Sequence, residues 1–252
     1  MRPLLALRSL AFLAGYATIT IVWGTLGILC GWLLPYRQRF VFIVVTWTRL
    51  VLGWLRLTCG IRAVVEGREH IPAAPCVVLV RHESTWETLF LQQLLVPQTT
   101  VIKRELLRIP FFGWAYSLLR PIAIDRADGR GALRALVRSG RSRLEEGIWV
   151  MLFPEGTRLA PGRPGRFQRG GAALATAAGV PVLVVAHDAG RCWPARRWLK
   201  YPGTIRLRIS PPIDTGGRTT PQVTEEAEAW MREALAELYA GSGTDRAERA
   251  AA

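Results

Sequence analysis

A long uncharged run near the N-terminus limits what this chain can fold into more than any other feature. No charged residue occurs between Ser9 and Tyr36, and a helix of that length is long enough to cross a hydrocarbon core of roughly 30 Å. The run is too long for the apolar core of a secretory signal peptide and continues past any small-residue cleavage site. We therefore expect the chain to begin with a helix embedded in a membrane.

A second apolar stretch, residues 40–58, follows a turn predicted near Pro35. Arg49 and Arg56 interrupt it and lie on nearly one face of a helix, as in helices that lie at a membrane interface. Arginines also flank the first run on both sides, which is not the asymmetry of a simple spanning helix. We predict a membrane-embedded two-helix hairpin over residues 1–59. The alternative is one spanning helix followed by an ordinary buried helix.

Small and aromatic residues of this segment add detail to the hairpin. Gly27 and Gly31 form a small-residue pair at helical spacing, which predicts close packing of the two helices. Four tryptophans of the segment are interpreted as anchors at the level of the lipid headgroups: Trp23, Trp32, Trp47 and Trp54.

The charge balance narrows the classes of partner. Lys and Arg contribute 33 charges against 19 from Asp and Glu, and the formal net charge of +14 suits nucleic acid, anionic lipid or a phosphorylated substrate. Because 50% of the residues are hydrophobic, we expect an anionic membrane surface and no nucleic acid. The four cysteines are scattered without a C-x-x-C pair, which predicts a reduced protein that faces the cytoplasm and has no structural disulfide.

Beyond residue 60, short apolar runs alternate with helical segments, which predicts an α/β domain over residues 60–240 and a disordered tail over residues 241–252. Several runs are continuously apolar, as in a sheet that is covered on both faces. The predicted strands are residues 61–66, 76–80, 99–103, 122–124, 149–153, 182–186 and 204–210. The predicted helices are residues 84–95, 105–118, 131–146, 170–178 and 221–239.

A histidine and a glutamate follow the second predicted strand. Glu87 comes five positions after His82, so the two can pair only if His82 lies before the helix that Ser84 would cap. The positive end of that helix favours a neutral imidazole, the form that a general base requires, and a carboxylate on the other ring nitrogen would fix its tautomer. In the alternative interpretation, Ser84 and Glu87 form only a capping box and His82 is structural.

Two further segments at predicted strand ends carry polar groups. In the segment F-P-E-G-T-R, Pro and Gly predict a tight turn, and Thr157 and Arg158 are suitable ligands for a phosphate or a hydroxyl. A basic loop with Arg163, Arg166 and Arg169 follows, and it either surrounds a phosphate or is simply solvated. Lys103 and Arg104 precede an apolar and aromatic segment, which suits a ligand with an anionic head and a fatty tail, although core packing explains the aromatic residues equally well.

In this order and spacing, the segments resemble the lysophosphatidate acyltransferase family. HESTWE matches the family's H-x4-D motif with Glu87 in the acidic place, F-P-E-G-T-R is intact, and an apolar strand beginning at Pro181 matches the fourth motif. Glu for Asp is a departure that keeps the carboxylate. Many members have a Lys shortly before the Gly-Gly pair, where this chain has Gln168 and Arg169.

The resemblance implies a fold, a site and a reaction. The fold is α/β, a mixed, largely parallel sheet flanked by helices as in glycerolipid acyltransferases, with the N-terminal membrane-embedded two-helix hairpin. His82 would be the base and Glu87 its partner. The implied ligands of the substrate phosphate are Lys103, Arg104, Glu155, Gly156, Thr157 and Arg158.

The implied reaction transfers an acyl chain from acyl-CoA or acyl-carrier protein to the sn-2 hydroxyl of 1-acyl-glycerol-3-phosphate and gives phosphatidate. It needs no acyl-enzyme, no cofactor and no metal. We expect the active domain on the cytoplasmic face of a bacterial inner membrane. Two alternatives are an acyltransferase for another lyso-lipid, such as lyso-ornithine lipid, and a non-catalytic membrane protein that binds lipid.

Overall fold

The computed structural model describes residues 2–124 and 129–240, so the tail predicted for residues 241–252 lies outside the described residues. The N-terminal region consists of helix α1 (Arg2–Cys30), then α2 (Tyr36–Phe40), a π-helical segment (Val41–Val45) and α3 (Thr46–Cys59), and the last three run on as one helix. Two segments, Pro3–Leu33 and Tyr36–Cys59, are long and apolar enough to cross a membrane. The two apolar helices are candidate membrane spans and suggest membrane association.

The two N-terminal helices run antiparallel and pack closely. A Cβ added at Gly31 would lie 2.8 Å from Ile43 Cδ1 of the second helix, and one at Gly27 would lie 3.4 Å from Ile43 Cγ1. The close packing predicted from these glycines is therefore confirmed. Gly60, with φ of 68°, ends α3 in the left-handed conformation that often closes a helix and so directs the chain into the sheet.

Three of the four tryptophans predicted as headgroup anchors hydrogen-bond to the facing helix of the hairpin. The indole N–H of Trp23 donates to Phe42 O (2.7 Å), that of Trp47 to Thr20 Oγ1 (3.1 Å) and that of Trp54 to Ala11 O (3.1 Å). A partly buried indole N–H needs an acceptor, and the facing helix supplies one in each case. Trp32 is 62% exposed, and its indole N–H donates to Leu29 O (2.8 Å) within the same helix end.

The α/β body contains a mixed, largely parallel sheet, as predicted. The strand bounds are β1 (Ile61–Glu66), β2 (Val77–Val80), β3 (Gln98–Thr100), β4 (Ile102–Lys103), β5 (Ala123–Ile124), β6 (Trp149–Leu152), β7 (Val182–His187) and β8 (Gly203–Ile209). Strands of the sheet stand in the order β1-β8-β7-β2-β6-β3, and β7 with β8 is the antiparallel pair among them. Strands β4 and β5 form a separate parallel pair.

The helices of the body are α4 (Trp86–Leu94), α5 (Phe112–Ser117), α6 (Gly129–Glu145), α7 (Gly170–Ala178) and α8 (Thr220–Ala240). The prediction of one helix over residues 105–118 is wrong, because the chain forms a 3-10 turn (Arg104–Arg108) and then α5. Pro110 disfavours the helical conformation at Ile109, whose ψ is 122°, and so breaks the helix. The single strand predicted over residues 99–103 is also divided, between β3 and β4.

Successive side chains of the central strand β2 point into two cores on opposite faces of the sheet. Val78 and Val80 belong to a cluster that also contains Phe12, Trp47 and Leu55 of the N-terminal helices. Val77 and Leu79 face a second cluster built with α6, α7 and α8. The N-terminal helices therefore form one of the two layers that cover the sheet.

Candidate active site

The chemically important segments meet because they follow neighbouring parallel strands. His82 comes two residues after β2, and the F-P-E-G-T-R segment begins directly after β6, which pairs in parallel with β2. The carboxyl ends of parallel strands lie at one edge of a sheet, where α/β proteins usually place their binding sites. The structure thus brings His82 and the loop carrying Glu155 to the same edge.

His82 and Glu87 form a hydrogen-bonded pair at this edge. His82 Nδ1 lies 2.8 Å from Glu87 Oε1, and the imidazole stacks on the ring of Phe153 with centroids 3.9 Å apart. The Ser84 amide donates to the same Glu87 Oε1 (3.1 Å), and Ser84 Oγ accepts from the Trp86 amide (3.1 Å). The two alternatives predicted for Glu87 therefore occur together, because its carboxylate bonds both His82 and the amide of Ser84 at the start of the helix.

The ionisation of Glu87 fixes the imidazole tautomer. Burial acts to raise its pKa, but the hydrogen bond from His82 and the nearby charges of His187 and His82 outweigh burial, so the pKa of Glu87 lies below its ordinary value. A carboxylate only accepts hydrogen bonds, so Nδ1 of His82 carries the proton. In the neutral imidazole, Nε2 would then carry the lone pair, and His82 is one of the residues that line an adjacent cleft.

A fully buried arginine, Arg81, organises the loop behind the histidine. Its Nε donates to Glu83 Oε2 (3.1 Å), its Nη1 to Glu155 Oε1 and its Nη2 to Ala160 O (2.8 Å). Glu155 Oε2 accepts the His82 amide (3.1 Å), so the backbone of the histidine is tied to this network. Removing one partner of a buried ion pair is costly because it leaves an uncompensated charge. The network therefore rigidifies the position of His82.

The structure places the side chain of Glu155, which the resemblance predicts as a phosphate ligand, in the buried network behind His82. This side chain is 1% exposed, and both carboxylate oxygens are engaged, one by Arg81 and the other by the His82 amide. Burial raises the pKa of Glu155, and the Arg81 charge opposes that rise. A buried, engaged carboxylate would repel a phosphate, so Glu155 holds the His82 loop in place.

The C-terminal helix completes the network through Glu83. Glu83 Oε1 accepts the Gly190 amide (2.9 Å) and the Tyr239 hydroxyl (2.7 Å), and Tyr239 lies near the end of α8. Burial and the charge of Glu83 raise the pKa of Tyr239, so its hydroxyl stays protonated and donates. The buried His187 donates no hydrogen bond to Glu87; its Nε2 donates to Arg81 O (2.9 Å) and lies 3.9 Å from Glu87 Oε2.

A cleft of about 840 Å³ opens beside His82 and combines a basic end with an apolar groove. The predicted phosphate ligands Lys103, Gly156, Thr157 and Arg158 all line it. Arg158 also donates from Nε to Ser84 O (3.0 Å), which holds its guanidinium beside the histidine loop. The structure does not bring Arg104 into this lining. Helix α1 supplies one apolar wall, with Leu13, Tyr16, Ala17 and Ile21. The segment that leads into α5 supplies the other wall, with Leu106, Ile109, Phe111 and Phe112.

Comparisons with known proteins identify the family of the chain. A family model described as acyltransferase matches residues 62–188. A 1-acyl-sn-glycerol-3-phosphate acyltransferase of Pseudomonas aeruginosa is 46% identical over 241 residues, which cover 94% of each chain. The chain belongs to the acyltransferase family.

More distant relatives extend the comparison. The alpha form of 1-acyl-sn-glycerol-3-phosphate acyltransferase of Homo sapiens is 31% identical over 202 residues, which cover 78% of this chain and 70% of the human one. The crystal structure of the 1-acyl-sn-glycerophosphate acyltransferase PlsC from Thermotoga maritima superposes with a TM-score of 0.78 at 24% identity. It covers 93% of this chain and 96% of the other, so this acyltransferase has the same fold along nearly its whole length.

Sequence reasoning missed several residues of the acyltransferase site. Arg81 and Glu83 flank His82 in the first motif, and a charged residue ending an apolar strand is a signal for a buried ion pair. Nothing in the sequence indicates that Arg81 pairs with Glu155 or that Glu83 pairs with Tyr239, because the partners are far apart in the chain. Arg196 lines the cleft from an irregular loop, with φ of 61°, and no sequence motif marks it.

Proposed function

We propose that this acyltransferase transfers a fatty acyl group from an acyl thioester, acyl-CoA or acyl-carrier protein, to the sn-2 hydroxyl of 1-acyl-glycerol-3-phosphate, and so forms phosphatidate. The observation that carries the proposal is the His82–Glu87 pair, 2.8 Å apart, at a cleft that combines Lys103 and Arg158 with an apolar groove. The activity named for the Pseudomonas aeruginosa relative supports it.

The reaction requires one base that later acts as an acid. Nε2 of His82 takes the proton of the sn-2 hydroxyl as its oxygen attacks the thioester carbonyl. The resulting imidazolium is stabilised by the Glu87 carboxylate on Nδ1. The tetrahedral intermediate collapses when the C–S bond breaks, and the thiolate leaves as a thiol with the proton from Nε2. The new ester bond is formed, His82 is neutral again, and no residue of the chain has been acylated.

The acceptor fits the cleft with its phosphate near the basic residues and its fatty chain along the apolar walls. Arg158 and Lys103 supply positive charge, and a guanidinium suits a bidentate contact with phosphate oxygens. Holding the hydroxyl and the thioester together contributes a further rate enhancement, because the two reactants no longer have to meet from solution.

We place the enzyme at the cytoplasmic face of a bacterial inner membrane, with anionic lipid as its partner surface. Large apolar side chains of α1 are exposed, among them Leu7 (65%) and Leu29 (62%), and α1 is also a wall of the cleft. Arg49 and Arg56 are exposed on the second helix, and the chain has a net charge of +14. An amphiphilic acceptor would enter the cleft from the lipid.

The proposal is tested by acyl transfer to 1-acyl-glycerol-3-phosphate with labelled acyl-CoA and acyl-carrier protein. We expect wild type to form phosphatidate and His82→Ala to lose activity by at least roughly 10²–10⁴-fold, the usual contribution of a general base. His70→Ala is the matched control, because His70 bonds Ile209 O and is absent from the cleft lining.

The assignment would be refuted if folded wild type transferred no acyl chain to 1-acyl-glycerol-3-phosphate from either donor at any acceptor concentration. Lyso-ornithine lipid should be tested as an acceptor in the same assay. Activity with this lipid alone would support the alternative that the enzyme acylates another lyso-lipid. Inactivity toward every acceptor would support the alternative of a non-catalytic membrane protein that binds lipid.

A further inference from the structure

A second cleft, of about 820 Å³, lies beside the first. Phe153, Gly156 and Thr157 line both clefts, so the two spaces meet at the F-P-E-G-T-R turn. The ring of His82 stacks on Phe153, which places the base beside this junction. The second cleft therefore leads to the reacting centre from the α6 and α7 side of the sheet.

The lining of the second cleft is apolar on one side and cationic on the other. Leu133 and Leu136 of α6 form the apolar side. Arg166 and Arg169 contribute to the other side, and both are exposed and form no ion pair with the described residues. Glu155 also touches this cleft, but its carboxylate is bound to Arg81. The lining suits an elongated ligand that has apolar and anionic parts.

The start of α7 also favours an anionic ligand at the same place. The first turn of α7 begins at Gly170 and Gly171, which line the cleft and whose amides lie at the positive end of the helix. The exposed arginines of α6, Arg134, Arg138 and Arg141, lie on the side of that helix away from its cleft-lining residues and do not line the cleft. The positive charge at the second cleft therefore comes from Arg166, Arg169 and the N-terminal end of α7.

The proposed reaction needs two substrates bound at the same time, and the first cleft already fits the acceptor. We propose that the second cleft holds the phosphopantetheine arm of the acyl donor and presents its thioester to His82 at the junction beside Phe153. This inference rests on the proposed function. The arm is common to coenzyme A and to acyl-carrier protein, so the cleft would take either source.

The double variant Arg166→Ala/Arg169→Ala tests the site. We expect its KM for the donor to rise about tenfold, as loss of charge-assisted contacts to a phosphate implies, with the KM for the acceptor unchanged. Arg62→Ala/Arg68→Ala is the matched control, because these exposed arginines line neither cleft. Equal melting temperatures of the two variants would show that both are folded.

Assays with acyl-CoA and with acyl-carrier protein distinguish the sources. A higher KM for both donors assigns the cleft to the shared arm, and a higher KM for one assigns it to that donor. An unchanged donor KM, or a rise in the acceptor KM alone, overturns the proposal.

Direct binding separates this inference from the reaction itself. A thioether analogue of acyl-CoA, which cannot transfer its chain, should bind the double variant about tenfold more weakly than the control variant. If wild type fails to acylate 1-acyl-glycerol-3-phosphate, the proposed function is refuted. The binding comparison still decides whether the donor arm occupies the second cleft, and equal affinities would exclude it.

Discussion

At the scale of single residues, Glu87 joins the folding of a helix to the chemistry of a base. One oxygen, Oε1, accepts both the Ser84 amide and His82 Nδ1, so the group that begins α4 also orients the imidazole. The second oxygen, Oε2, is buried without a hydrogen bond among the described residues, and His187 lies 3.9 Å from it. Geometry and charge at this position can therefore be varied separately.

Glu87→Gln should keep the helix cap but remove the negative charge. The amide oxygen can still accept the Ser84 N–H, whereas the imidazolium formed during transfer loses its counter-charge. We expect kcat to fall roughly 10²–10⁴-fold, with little change in the KM of either substrate. Steady-state kinetics measure this, and melting temperatures check the fold. Wild-type kcat in Glu87→Gln would show that the charge has no part in the reaction.

The low pKa of Glu87 also predicts a pH-dependent loss of stability in His82→Ala. The folded-state pKa lies below the ordinary 4.5, so the stabilisation is complete above pH 4.5 and is lost as the pH falls through the folded value. Removing His82 raises that folded pKa. We expect the stability difference between wild type and His82→Ala to be largest at neutral pH and to shrink below about pH 4.5.

Thermal unfolding in detergent at pH 7 and pH 4 measures the difference. A gap that widens in acid would contradict the proposed coupling between His82 and Glu87.

At the scale of elements, the N-terminal hairpin has no room for a larger side chain at Gly15 but has room at Gly53. Trp54 Nε1 donates to Ala11 O, and a Cβ on Gly15 would lie 2.0 Å from that same nitrogen. Gly53, by contrast, has no atom within 4 Å of a Cβ placed on it. Both glycines are helical, so helix propensity favours alanine at each position and packing alone distinguishes them.

Gly15→Ala should therefore destabilise the protein, and Gly53→Ala should be neutral or slightly stabilising. Overpacking of this kind costs about 1–3 kcal/mol, which opposes the roughly 1 kcal/mol that alanine gains over glycine in a helix. Melting temperatures in one detergent measure both. A Gly15→Ala variant that melts at or above Gly53→Ala would show that α1 does not pack on α3 as described.

Parts of the fold and of the candidate site could be predicted from the sequence because they depend on local sequence patterns. Continuous apolar runs gave the central strands, and the offset between a strand end and a capped helix anticipated the His82–Glu87 geometry. The break at Pro110 was visible but outweighed by the apolar pattern around it. The Arg81–Glu155 contact joins residues 74 positions apart, and only the pairing of β2 with β6 brings them together. The junction of the two clefts depends on the same pairing.

At the scale of the whole molecule, positive charge and exposed apolar surface coexist. The net charge of +14 is carried by a chain whose α1 exposes large aliphatic side chains. Both features favour an anionic lipid surface, since attraction to anionic headgroups adds to apolar insertion. The dependence on charge is screened by salt, whereas the apolar contribution is not.

Acyl transfer on vesicles should therefore rise with the fraction of anionic lipid and fall between low and physiological ionic strength. We expect the effect to disappear on vesicles of neutral phosphatidylcholine, which serve as the control. Transfer rates that depend on neither the lipid charge nor the salt concentration would refute electrostatic attachment to the membrane.

Because α1 is a wall of the cleft beside His82, its position determines which concentration of acceptor sets the turnover rate. On the proposed membrane placement, the acceptor meets the base while its fatty chain is still dissolved in the leaflet. The quantity that sets the rate is then the number of acceptor molecules per unit area of bilayer. Adding inert lipid or detergent dilutes that surface and slows the reaction, even when the molar concentration of acceptor in the sample stays the same.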